Sequence, residues 1–144
     1  MKQIQTNRFG TFEILEDRII HFPEGLLGFP EQKDYAILDH QPGSPFFWLQ
    51  SLDAPDLAFV MANPFQVKGD YLADLRPEEK EPFQGDKENG RIVFALVTVP
   101  QGRAEDATIN LLGPLVIDLE SRRGKQMIFA SYGYSHRHPF FGES

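Results

Sequence analysis

His136-x-His138 is the spacing a strand would turn to one face, as two imidazole ligands of a metal require. A zinc site needs at least one more ligand with support behind it. His21 and His40 are the remaining imidazoles, and both are distant in sequence. Ser44, Ser51, Ser121 and Ser131 stand in no Gly-x-Ser-x-Gly context, and the chain has no cysteine to serve as nucleophile, thiolate ligand or disulfide. The Gly25–Gly28 run (GLLG) lacks the spacing and the following helix of a phosphate-binding loop. The pairs Asp53/Asp56 and Asp70/Asp74 are spaced for acid–base work, yet nothing local would raise a carboxyl pKa. They read as a solvated acidic face. These residues predict neither an enzyme nor a cofactor.

Charge is distributed unevenly along the chain. Residues 1–120 carry 20 acids against 10 Lys and Arg, whereas residues 121–144 set Glu143 against Arg122, Arg123, Lys125 and Arg137. The overall −7 argues against direct binding of nucleic acid, which needs a dominant basic face to displace phosphate counterions. An acidic domain attracts a basic partner instead and speeds their encounter. The opening residues lack a secretory apolar region, and no apolar run reaches membrane-spanning length, so a soluble cytoplasmic protein with no membrane partner is expected. At 144 residues the length predicts one domain, 1–144, able to bury a core without staples.

The elements that must position these side chains read as short strands. The organising stretch is 108–129 (TINLLGPLVIDLESRRGKQMIF). There, Leu115, Ile117 and Leu119 share one strand face, Gly113-Pro114 breaks the run, and residues 120–124 close a hairpin. Its basic loop is the part with the better claim to function. Further strands are predicted at Lys2–Thr6, 10–15, 18–22 (RIIHF), 35–39, Phe46–Ser51 and 57–62. The most apolar one, 91–99 (RIVFALVTV), should be central and covered on both faces. Two prolines and two glycines in FPEGLLGFP (22–30) forbid regular structure, so its Phe22, Leu26, Leu27 and Phe29 should fold back over an end of the core. Residues 71–75 suit a short helical turn, whereas Pro77 and Pro82 forbid a long helix. The runs at 78–81 and 86–88 should be solvated. Because strands recur at turn-limited spacing without sustained helical periodicity, the fold class is all-β, a small antiparallel β-barrel-like single domain with short helical turns.

Taken in order, IHFPEGLLGF (20–29), PFFWLQS (45–51), FVMANP (59–64), Asp70-Tyr71, TINLLGPLVI (108–117), RRGKQ (122–126) and Arg137-His138-Pro139 resemble the FliW family of bacterial flagellar assembly factors. The resemblance implies a β-barrel-like domain and a non-enzymatic protein–protein role. Family members bind the carbon storage regulator CsrA, an RNA-binding repressor of flagellin translation, and also bind flagellin. Release of the factor as flagellin is secreted relieves the repression. On that reading the regulator should meet the acidic residues Asp53, Asp56, Asp70 and Asp74, with Tyr71 as an aromatic anchor. Flagellin should meet Leu26, Leu27 and Phe29 with Phe140 and Phe141. Two alternatives stand beside it. One is a flagellin-specific export chaperone without a regulatory arm. The other is a small-molecule-binding β-barrel or enzyme using His136 and His138, which would need a roomy apolar cavity.

Overall fold

A computed structural model of the chain describes residues 2–76, 78, 91–129 and 132–141; the charged runs at 79–81 and 86–88, together with Pro77, Pro82 and Ser131, lie outside those residues. The described strands are β1 (Lys2–Thr6), β2 (Gly10–Ile14), β3 (Ile19–His21), β4 (Asp34–Asp39), β5 (Phe46–Ser51), β6 (Ala58–Ala62), β7 (Arg91–Thr98), β8 (Thr108–Ile109), β9 (Leu115–Asp118), β10 (Arg123–Gln126) and β11 (His138–Pro139). The fold is all-β; its helical segments include single 3-10 turns at Glu16–Arg18, Pro64–Gln66 and Ala104–Asp106. In the predicted helical turn, Ala73 N–H donates to Asp70 O and Leu75 N–H to Leu72 O, so it consists of successive tight turns.

Seven strands close into a barrel in the order β3-β4-β5-β6-β7-β9-β10, with β10 returning to β3. Every neighbouring pair in that ring is antiparallel except β10 with β3, where Arg123 lies beside His21. Parity requires this: strictly alternating directions cannot close around an odd number of strands. The expectation of an antiparallel barrel therefore holds with one parallel seam. β7 is central as predicted. Its inner face (Ile92, Phe94, Leu96) joins the barrel interior, while Ala95 and Val97 on its outer face are covered by other elements.

Strand alternation divides the apolar residues into three layers. Inside the barrel, Ile20, Phe22, Tyr35, Leu49, Met61, Leu115 and Ile117 are fully buried, and Leu26 and Phe94 pack with them. Full burial of each such aliphatic or aromatic side chain is worth about 1.5–3 kcal/mol, so this interior dominates the hydrophobic stabilisation. Among the described residues, the barrel interior is occupied by these packed side chains. On one outer face, Ala62, Ala95, Val97 and Ile109 are covered by Tyr71, Leu72, Leu75, Phe129 and Phe140. On another, the β1–β2 hairpin lays Ile4, Ile14 and Phe12 over Ala36 and Leu38. The strand β11 was not foreseen; it pairs His138 with Ile109 and Pro139 with Thr108, extending the sheet beyond β8.

Candidate functional site

Asp53 and Asp56 sit exposed on the β5–β6 turn, and the sequence around them builds that turn rigidly. Ser51 Oγ accepts the N–H groups of Asp53 (3.1 Å) and Ala54 (2.9 Å). The fully buried Gln50 side chain donates from Nε2 to the carbonyls of Ser51, Pro55 and Leu57 at 3.0, 3.2 and 3.1 Å. From the hairpin, Asn7 N–H donates to Pro55 O. A shallow hollow of about 260 Å³ beside the turn is lined by Asn7, Arg8, Gln50, Pro55, Asp56 and Ala58, and the Arg8 guanidinium lies 4.7 Å over the Trp48 ring. Beneath the turn the buried Tyr35 phenol is pushed up to about 12, first by burial and then by the Asp53 charge.

Asp70 and Asp74 are also exposed, but they follow β6 whereas Asp53 and Asp56 precede it. A five-residue strand spans roughly 13 Å at about 3.3 Å per step, so the β5–β6 turn and the start of the segment that carries Asp70 and Asp74 stand at opposite ends of β6. No hydrogen bond or ion pair joins the two pairs among the described residues. Asp70 pairs with Lys68 Nζ at 3.1 Å, and that ammonium, through its hydrogen bond and its charge, holds the carboxyl below the usual range. Tyr71 is a correction. Its ring is buried against Tyr134 and Phe65, and its hydroxyl donates to Leu111 O, so it fastens the outer layer and presents no aromatic anchor. Burial raises its pKa, with Tyr134 adding to the shift.

The 22–30 loop folds back as predicted, though only partly. Leu26 and Phe29 exchange backbone hydrogen bonds across a tight turn. The turn needs Gly25, whose φ is +69° and where a Cβ would stand 2.6 Å from Phe29 O. Leu26 is buried in the barrel interior and is withdrawn from any docking role, while Leu27 is 75% exposed and Phe29 leans edge-on against Phe59. At the other end of β5, Phe140 is buried against Phe46 in the outer layer, and exposed Phe141 packs on both rings. The two apolar groups predicted as one flagellin site pack with different layers: Leu26 joins the barrel interior, with Phe29 on Phe59 beside it, and Phe140 joins the outer layer with Phe46.

His136 occupies the turn before β11 and His138 lies on the strand, so the two do not share one strand face. Among the described residues no group of three or more His, Cys, Asp or Glu side chains is placed to hold a metal. Neither histidine lines the hollows described here.

Sequence reasoning missed a trough on β10. Strand alternation points Arg123 and Lys125 outward while Gly124 faces in, where a Cβ would stand 2.5 Å from the Phe22 ring. A hollow of about 270 Å³ there is lined by Pro23, Glu24, Val116, Asp118, Ser121, Arg123, Gly124, Lys125 and Met127. Glu24 also lines a second hollow of about 300 Å³ that includes Leu26, Leu27, Pro30, Gln126 and Ile128. The charge reversal at 121–126 was visible in the sequence. The meeting of Leu27 with Gln126, whose Oε1 accepts the Leu27 N–H at 2.8 Å, was not, since 99 positions separate them.

Comparison with known proteins follows the same outline. The family model described as FliW protein matches residues 3–140. A flagellar assembly factor FliW from Magnetococcus marinus is 39% identical over 142 residues, covering 99% of this chain and 86% of the relative. One from Natranaerobius thermophilus is 36% identical, covering 98% of this chain and 93% of the relative. A crystal structure of the flagellar assembly factor FliW superposes with a TM-score of 0.81 at 34% identity and 99% coverage of both chains.

Proposed function

The chain belongs to the FliW family of flagellar assembly factors, and from that premise we propose that it works by holding two protein partners in turn. The partners are the translational repressor CsrA and flagellin. The factor antagonises CsrA, which frees flagellin mRNA for translation, and it is itself occupied by flagellin until flagellin is exported. It acts in the cytoplasm and makes no bonds of its own. The observation that most supports this reading is the filled barrel axis: with Phe22, Tyr35, Leu49 and Met61 packed inside, the surfaces open to a ligand are outside and suit macromolecules. Among the described residues no helix is long and apolar enough to cross a membrane.

The different settings of the two acidic pairs sharpen the expectation for CsrA. A basic surface on the regulator can lie on Asp53 and Asp56 or on Asp70 and Asp74 more readily than on both. Of the two, Asp53 and Asp56 are the better site, because their turn is held by buried hydrogen bonds and no ion pair is recorded for either residue among the described residues. Asp70 is already engaged by Lys68. Charge reversal at Asp53 and Asp56 should weaken CsrA binding in calorimetry with circular dichroism unchanged, and reversal at Asp70 and Asp74 should do less. The opposite ranking would move the site to the segment that carries Asp70 and Asp74.

A further inference from the structure

We infer that the hollow beside the β5–β6 turn is a socket for one guanidinium side chain of a basic protein partner. The inference rests on the reading that a basic partner meets Asp53 and Asp56, and it adds the group that anchors the partner there. The hollow, about 260 Å³, is lined by Asn7, Arg8, Gln50, Pro55, Asp56 and Ala58. Gln50 is the one fully buried residue of that lining, and its amide is unevenly used. Nε2 lies 3.0, 3.2 and 3.1 Å from the carbonyls of Ser51, Pro55 and Leu57, whereas Oε1 is buried with no hydrogen-bond partner among the described residues. Turning the amide over would set its oxygen against three carbonyl oxygens, so the oxygen is held as the unserved atom. Buried acceptors are rarely left without a donor in folded proteins.

The other side-chain acceptors around the hollow are free as well. The exposed Asp56 carboxylate and the Asn7 side-chain amide make no hydrogen bond or ion pair among the described residues. The occupant must therefore donate hydrogen bonds and bring positive charge. An apolar group would leave Gln50 Oε1 unserved, a carboxylate would be repelled by Asp56, and a water would serve Oε1 without answering the charge. Guanidinium fits better than ammonium. Its five N–H groups are fixed in one plane and can serve acceptors on separate residues, and it is the more weakly hydrated cation. The site is also built in advance. Asn7 N–H donates to Pro55 O at 2.9 Å and Ser51 Oγ caps the turn, so the hairpin and the turn are tied together before a partner arrives. Arg8 is the opposing charge in the lining. Its guanidinium is held 4.7 Å over the Trp48 ring, which leaves the acceptors unclaimed but makes the rim less favourable to a second cation.

The test is NMR titration of the full chain with blocked amino acids: N-acetyl-arginine methylamide, its lysine counterpart and its citrulline counterpart, which keeps the shape of arginine without the charge. The arginine probe should shift the backbone amides of Asn7, Asp56 and Ala58 and the side-chain amide protons of Gln50. Citrulline should bind roughly tenfold more weakly, about the scale of one charge-assisted hydrogen-bonded pair, and lysine should fall between the two. Asp56→Asn should weaken the arginine probe about tenfold, and Arg8→Gln should tighten it about twofold. Glu105→Gln, on the 3-10 turn before β8, should leave it alone. Both exposed residues can be changed without touching the core, and the Gln50 signal is read in the unaltered chain. Equal affinity for arginine and citrulline, an unmoved Gln50 side chain, or an Asp56→Asn variant that binds as tightly as the parent would overturn the inference. So would spermidine seating there more tightly than the arginine probe, because the occupant would then be a free amine. If the arginine probe binds but CsrA does not, the socket stands and the partner assignment falls. If CsrA binds and the probe does not, the socket alone is lost.

Discussion

Replacing Gly124 by Ala should destabilise the protein by about 2 kcal/mol, although Ala is ordinarily the better strand residue. A Cβ at this position would stand 2.5 Å from Phe22 Cε2, 2.6 Å from Cζ and 2.9 Å from Cδ2. Carbon atoms in contact prefer about 3.5–4.0 Å, so the ring or the strand must move by roughly 1 Å. Phe22 has little freedom to do so: it is fully buried and sits edge-on to Tyr35 at 5.6 Å between centroids. Overpacking costs about 1–3 kcal/mol, and a ring with so little freedom puts this case near the upper end, from which the reduced entropy of the unfolded chain returns about 0.5–1 kcal/mol. For a chain of this size the net change lowers the melting temperature by about 4–8 °C. The assay is thermal and urea unfolding followed by circular dichroism, run as a double-mutant cycle with Phe22→Leu. The smaller side chain leaves room for the new methyl group, so the double variant should be more stable than the sum of the single losses predicts, by about 1 kcal/mol. A neutral Gly124→Ala, or strict additivity with Phe22→Leu, would refute the account of how β10 closes against β3.

Other expectations follow from buried polar groups. The Tyr35 phenol ionises near 10 when unfolded but only at about 12 in the folded protein, so its contribution is complete below pH 10 and is lost as pH climbs toward 12. Two pKa steps correspond to about 2–3 kcal/mol, and Tyr35→Phe should flatten part of the alkaline stability limb. At neutral pH the same substitution should be neutral or stabilising by up to about 1 kcal/mol, because the buried hydroxyl has no hydrogen-bond partner among the described residues. Tyr71→Phe should cost about 1–3 kcal/mol at neutral pH, since Leu111 O is left unpaired; denaturant titration separates the two tyrosines. Gln50→Leu removes three hydrogen bonds from the β5–β6 turn and should cost about 2–3 kcal/mol, with faster amide exchange at residues 53–57 and weaker CsrA binding.

How much of this was legible in sequence depended on the range of the interaction concerned. The strands from Lys2 to Ala62 and the apolar run of β7 were readable because alternation and turn residues are local signals. The parallel seam was not, since it follows from the number of strands that close the ring, which no single segment carries. Tyr71 looked like a surface aromatic because its neighbours Asp70 and Asp74 are polar. Its burial depends on Leu111 and Tyr134, 40 and 63 positions away. The acidic pairs likewise seemed one face until β6 was placed between them. The basic loop drew notice as a change of charge, but only the fold brought Leu27 to Gln126 and turned that loop into one rim of a trough. Strand β11 escaped because two residues of His-Pro carry almost no strand signal, and pairing with β8 supplies what propensity lacks.

The most direct test of the central claim is calorimetric titration of the purified chain with CsrA and with flagellin, followed by displacement of one by the other. Saturable binding of both proteins is predicted, with flagellin added to the CsrA complex releasing free CsrA. Absence of heat and of co-elution with either protein, from a chain shown to be folded, would contradict the account.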